Sequence, residues 1–233
     1  MSDLIPSEGK YPDTSHIFVE SLQALTEGLT GIVASDKKDL LISLGQILQK
    51  VRGRRLLHLL NEEWNKYRKK GKIKDDYIQT EQHQECLQEM LDFLDRDVPD
   101  HLRFTVLKKI FLAAASEEKL KRDSVLPQQY MRIIRTLNSS EVLVLNANYQ
   151  IAEAKVGDWE SKEHSAKNWL TQTAEKSGLV YPELVETCEN SLVNKHLLLN
   201  RKEGDPNVIH LGANYRLTQL GFGICEFVDE GES

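Results

Sequence analysis

The spacing of the apolar residues changes once along this chain, near Leu197. Between residues 15 and 195, apolar side chains recur three or four positions apart, which is the repeat of an amphipathic helix. Two short apolar runs then follow at 197–199 and 208–211, on either side of a polar turn, as in two strands joined into a hairpin. We therefore predict a mainly α fold, in which an N-terminal helical bundle precedes a small α+β domain that holds the only sheet.

Helix start and stop signals set the limits of the predicted parts. Residues 1–14 are polar and contain two prolines, which favours a flexible arm. Helices predicted at 15–34, 35–71, 80–94, 101–116 and 126–137 make residues 15–137 an all-α domain, with Gly53 marking a break in the second helix. Asn138 starts a new helix, which opens a second domain at 138–229, and residues 230–233 form a tail.

The motif Tyr-Arg-Leu-Thr-x-Leu-Gly at 215–221 follows the predicted hairpin and opens the last helix. With three helices before the hairpin, residues 138–229 resemble the winged-helix family of bacterial regulators. The order of the two predicted domains, a helical region followed by this tail, is also similar to that of α-helical bacterial proteins of the abortive-infection type. In winged helices the third helix enters the DNA major groove and the wing contacts phosphate. Carried over by position, the resemblance implies contact residues Thr187, Asn190, Ser191, Asn194 and Lys195 on helix 181–195, and Arg201 and Lys202 in the wing.

The charge of helix 181–195 argues against that DNA-binding role. The helix carries Glu183, Glu186 and Glu189 against a single lysine, and carboxylates repel phosphate. The sequence therefore favours a winged helix that serves protein docking or dimerisation. A DNA-binding transcription regulator is the alternative, and an abortive-infection or phage-defence effector is a third hypothesis.

Positive charge is concentrated in one stretch of a chain whose net charge is -6. Residues 50–74 carry ten basic and two acidic side chains, a net +8, whereas residues 138–233 carry eight basic and fifteen acidic ones, a net -7. Basic residues with interleaved aromatics suit nucleic acid or an anionic membrane surface. The alternative is a solvated helix end whose lysines complement the helix dipole, with the aromatics buried. The candidates are Arg52, Arg54, Arg55, Lys66, Arg68, Lys69, Lys70, Lys72 and Lys74, with Trp64 and Tyr67 between them.

Sequence signatures of catalysis and of cofactor binding are missing. His83 and Cys86 lie one helical turn apart, but no second pair of ligands has zinc-like spacing. Three widely spaced cysteines suggest reduced thiols, and no apolar run reaches the roughly 18–20 residues of a membrane span. We therefore predict a cytoplasmic, non-enzymatic regulatory or adaptor protein without metal or cofactor. Its expected partner is another protein or a second copy; nucleic acid is the alternative, and membrane is not expected.

Overall fold

The computed structural model describes residues 50–73, 77, 80–95, 99–116, 125–154, 166–200 and 216–229, and these residues are mainly helical. The predicted arm at 1–14, the helix at 15–34 and the tail at 230–233 lie outside them. Eight helices occupy the described ranges: α1 Val51–Lys69, α2 Glu81–Asp95, α3 His101–Ala115, α4 Leu126–Thr136, α5 Ser139–Ala154, α6 Ala166–Ser177, α7 Pro182–Asn194 and α8 Gln219–Asp229.

The predicted α+β winged-helix-like domain is wrong for the described part of the chain. No strand is present in the described ranges, where Leu198 and Leu217 form only an isolated antiparallel bridge. The first predicted strand instead buries Leu197 and Leu198 among helices. A short apolar run has the same pattern in a strand and in a buried connection between helices, so the spacing of its apolar residues cannot distinguish the two. The second predicted strand, at 208–211, lies outside the described residues.

Most predicted helix boundaries are confirmed to within a few residues, because local capping chemistry fixes them. Asp100 precedes α3 and its carboxylate accepts a hydrogen bond from the amide of Arg103 at 2.9 Å. At the start of α5, Asn138 and Glu141 form a reciprocal capping box through bonds of 2.8 and 2.9 Å. The predicted break near Gly53 lies at Lys50, whose backbone is extended, with a φ of -95° and a ψ of 116°. Helix α1 begins after it and runs through the buried Gly53 without interruption.

The end of α7 carries a turn that the sequence does not signal. The amides of His196 and Leu197 donate back to the carbonyls of Val193 and Leu192 at 2.9 Å each, which is the Schellman pattern. His196 has a φ of 58°. Glycine usually occupies this left-handed position, because a Cβ costs free energy there. The turn directs Leu197 into the core.

The Leu-Thr-x-Leu-Gly motif has a packing role at the start of α8. The Thr218 hydroxyl accepts a hydrogen bond from the Gly221 amide at 3.0 Å, as an N-cap does, and donates to the carbonyl of His196 at 2.8 Å. Gly221 lies directly against the backbone of Leu197, so that a Cβ on Gly221 would stand 2.2 Å from that carbonyl oxygen. A capped helix start and a close backbone approach therefore account for the motif.

One buried apolar cluster runs from Leu56 in α1 to Phe227 in α8. Helix α3 lies at its centre and contacts α1, α2, α4, α5 and α8. The rings of Tyr130 on α4 and Phe227 meet edge to face with centroids 5.7 Å apart. The cluster therefore crosses residues 137 and 138, where the sequence predicts a division into two domains.

Candidate functional site

The basic residues of α1 and of the turn after it form an exposed surface. Helical spacing of Leu56, Leu57, Leu60 and Trp64 turns one side of α1 into the core, so the charged residues face outward. We name these the basic surface of α1; its members, all exposed, are Arg52, Arg54, Arg55, Lys66, Arg68, Lys69, Lys70 and Lys72. Lys74 lies outside the described residues.

The two aromatic candidates on α1 do not join this surface. Trp64 is fully buried, and its ring lies 5.2 Å from the rings of both Phe111 and His83. Tyr67 is half-buried against the core, and the ammonium of Lys72 lies 5.4 Å from its ring centre. Neither ring lies open on the basic surface, as stacking on nucleic-acid bases requires.

Two glutamates divide the basic surface into two ends. Glu62 pairs with His58 at 3.4 Å, and Glu63 pairs with Lys108 of α3. Arg55 and Lys66 are separated by eleven residues, or about 16 Å along a helix that rises 1.5 Å per residue. At the second end, Lys66, Arg68 and Lys69 occupy the last turn of α1, where positive charge also complements the helix dipole.

The predicted contact residues of helix 181–195 are largely engaged within the chain. Lys195 donates to both carboxylate oxygens of Glu141, at 2.9 and 2.8 Å, and to the carbonyl of Thr136 at 3.1 Å. Thr187 donates to the carbonyl of Glu183 at 2.8 Å. Ser191 is half-buried, while Asn190 and Asn194 are exposed on α7, and Arg201 and Lys202 lie outside the described residues.

The Glu141 carboxylate accepts hydrogen bonds from three parts of the fold. Burial raises the pKa of this carboxylate, but bonds from Lys195, Ser191 and Asn138 outweigh burial and hold the pKa below its ordinary value of 4.5. A carboxylate whose pKa is lowered on folding stabilises the fold fully above its unfolded pKa, and that contribution disappears as the pH falls through the folded value. Lys195 is thus a structural partner of α5.

We expect Glu141→Gln to destabilise the protein at neutral pH and to lose that effect in acid. The neutral amide cannot pair with the Lys195 ammonium, whereas the native carboxylate becomes neutral as well once the pH falls below its folded pKa, which is itself lower than 4.5. Urea unfolding of both proteins at neutral pH and again well below pH 4.5 measures the difference. The exposed Glu175→Gln on α6 is the control, and an equal gap at both pH values for Glu141→Gln would contradict the prediction.

A buried ion pair joins α7 to the start of α8, and sequence reasoning missed it. Arg216 Nη1 donates to Glu189 Oε1 at 2.6 Å, and the two side chains are 1% and 3% exposed. Arg216 Nη2 also donates to the carbonyl of Leu199 at 3.2 Å. Burial lowers the pKa of Arg216 to about 10, so the guanidinium is still charged at neutral pH. Glu189, which the sequence suggested as a surface charge facing DNA, is therefore part of the core.

A second charged cluster lies between α2 and α4 and was also missed. Glu89 accepts from Arg132 Nε and from Arg135 Nη1 at 2.6 Å each, and Asp92 lies 3.6 Å from Arg135. Glu89, Arg132, Arg135 and Thr136 line an open cavity of about 400 Å³. Both arginines in this lining are bonded to Glu89, so the cluster ties α4 to α2.

The cysteines give no sign of reactive chemistry. All three are buried, and burial raises the pKa of both Cys86 and Cys225 to about 12, far from thiolate formation at neutral pH. His83 is buried among the rings of Trp64, Tyr77 and Phe111. Within the described ranges, no three histidine, cysteine, aspartate or glutamate side chains are grouped so that they could hold a metal ion.

Comparison with family models, with curated proteins and with solved structures found no match to this chain. No helix in the described ranges combines the length and the apolar character that a membrane span needs. The candidate functional site is therefore identified from the structure of this chain alone. It is the exposed basic surface of α1.

Proposed function

We propose that this chain is a non-enzymatic regulatory or adaptor protein, and that the basic surface of α1 binds an acidic surface of a protein partner. The observation that carries this proposal is the exposure of eight lysines and arginines on one helix and its closing turn. Complementary charge steers such a partner and selects against basic ones.

Three features of α1 favour an acidic protein over the other polyanions. Trp64 is buried and Tyr67 is half-buried with the Lys72 ammonium 5.4 Å from its ring centre, so neither ring of α1 is fully exposed for base stacking. Glu62 and Glu63 interrupt the positive charge, which suits a partner with separated acidic groups better than a continuous phosphate backbone. The apolar side of α1 faces the core, so the helix has no apolar face for insertion into a bilayer.

Charge reversal tests the proposal directly. The four-site variant Arg52→Glu, Arg55→Glu, Lys69→Glu and Lys70→Glu should lose binding to poly-L-glutamate by at least about 100-fold at low salt, because attraction becomes repulsion. Its melting temperature should change little, since exposed charges contribute roughly 0–1 kcal/mol each to stability. Fluorescence anisotropy with labelled poly-L-glutamate, short duplex DNA and phosphatidylserine vesicles compares the three classes of polyanion.

Lys176→Glu, at an exposed position on α6, is the matched control and should leave binding unchanged. Tighter binding to duplex DNA than to poly-L-glutamate, lost in the same four-site variant, would replace the protein partner by nucleic acid. Absence of binding to every probe would overturn the proposal.

A further inference from the structure

Large apolar side chains are exposed where α6 turns into α7. Val180 is 82% exposed, Tyr181 is 69% exposed and Leu184 is 40% exposed. Exposed apolar side chains close together mark contact surfaces on soluble proteins, and tyrosine is enriched in the centres of such surfaces. Gly178 has a φ of 70° and Pro182 begins α7, so these two residues set the chain direction at the turn that carries the three side chains.

The charge beside these apolar residues is negative. Glu183 and Glu186 are exposed on the first turns of α7, and the outer positions 187, 190 and 194 are uncharged. The single lysine at the end of this helix, Lys195, is already paired with Glu141. We name this the acidic knob; its members are Val180, Tyr181, Glu183, Leu184 and Glu186.

The basic surface of α1 has the properties that complement the acidic knob. Arg55 and Lys66 lie on the outward side of α1, and Leu59 lies between them on the same side, only partly buried. This side of α1 thus offers two cations beside a partly buried leucine, with the exposed Glu62 between Leu59 and Lys66, and the acidic knob offers two carboxylates beside exposed apolar side chains. Both surfaces stay exposed within one chain, so the knob and the basic surface do not cover each other there.

We infer that the acidic partner of α1 is the acidic knob of a second copy of this chain. This inference rests on the proposed function, and it names the partner that the proposed function leaves general. In a two-fold dimer each contact between unlike surfaces occurs twice, once in each direction, so that no surface is left uncovered at an end.

Salt tests the electrostatic part of the inference. Multi-angle light scattering of the full chain should give a dimer at about 0.05 M salt and a monomer at about 0.5 M, where the screening length falls to a few ångströms. Variant K, Glu183→Lys with Glu186→Lys, and variant E, Arg55→Glu with Lys66→Glu, should each weaken self-association by at least about tenfold, because like charges then face each other.

An equimolar mixture of variants K and E supplies the decisive measurement. In the mixed pair both contacts again join opposite charges, so the mixture should dimerise at least about tenfold more tightly than either variant alone. Asn146→Lys with Gln150→Lys, two exposed positions on α5, is the control and should dimerise like the original chain. Circular dichroism checks that every variant is folded.

A monomer at low salt, or a mixture of K and E that stays monomeric, overturns the inference. If the chain nevertheless binds poly-L-glutamate through α1, the proposed function stands and its partner is a different acidic protein. If binding to poly-L-glutamate and to duplex DNA is absent as well, both proposals fail.

Discussion

Arg216→Ala is expected to lower the free energy of unfolding by about 3–5 kcal/mol, the range measured when one partner of a buried ion pair is removed. The substitution leaves the carboxylate of Glu189 buried without its cation and removes the hydrogen bond to the carbonyl of Leu199. Desolvation of an unpaired charge accounts for most of the loss. Urea denaturation followed by far-UV circular dichroism measures it.

Arg132→Ala is the matched control for Arg216→Ala. Arg132 makes a 2.6 Å bond to Glu89, as Arg216 does to Glu189, but its side chain is 53% exposed and Glu89 keeps its bond to Arg135. Its loss should cost about 1 kcal/mol or less. The double variant Arg216→Met with Glu189→Leu should recover much of the lost stability, because it leaves no buried charge. Equal losses for Arg216→Ala and Arg132→Ala would contradict the assignment of a buried pair.

Gly221→Ala is expected to cost about 3 kcal/mol, the upper part of the usual range for overpacking. Its Cβ would stand 2.2 Å from the carbonyl oxygen of Leu197, a backbone atom that cannot move unless the α7–α8 connection shifts. Helix propensity alone predicts the opposite sign, since alanine is favoured over glycine by about 1 kcal/mol inside a helix. The sign of the change, measured by thermal and urea unfolding, separates the two effects.

Gly223→Ala, two residues further along α8, provides the internal comparison. An added Cβ there would meet the side chain of Tyr130, with the hydroxyl 2.9 Å away, and no backbone atom. We expect a loss clearly smaller than that of Gly221→Ala, because a side chain yields more easily than backbone and helix propensity offsets up to about 1 kcal/mol. If Gly223→Ala destabilised the protein as much as Gly221→Ala, the close approach of Leu197 would not be the cause.

The sequence predicted those elements whose signals are local. Asp100 and the Asn138–Glu141 box act through backbone groups only a few residues away, so the helices that they start are found where expected. The 197–199 run was misread as a strand because burial in a helical core and burial in a sheet select the same residues. Tertiary contacts, which leave no periodic pattern in the sequence, decide between them.

The candidate site shows the same division between local and distant causes. Outward placement of Arg55 and Lys66 follows from the helical spacing of the leucines on α1, which can be read from the sequence. The engagement of Lys195 by Glu141 and of Glu189 by Arg216 joins residues 54 and 27 positions apart. From the sequence alone, such residues are predicted to be surface charges, because no neighbouring residue indicates their distant partners.

The backbone hydrogen bond between Leu199 and Arg216 affects how this chain tolerates an insertion. The Leu199 amide donates to the Arg216 carbonyl at 2.7 Å, and the Thr218 amide donates to the Leu197 carbonyl at 3.2 Å, so the chain departs and returns at adjacent points. A connection whose ends are clamped together can be lengthened at a small entropic cost, roughly 0.6 kcal/mol for each doubling. A peptide inserted between Asn200 and Arg216 should therefore lower the free energy of unfolding only slightly, because these two hydrogen bonds already hold the ends of the connection together.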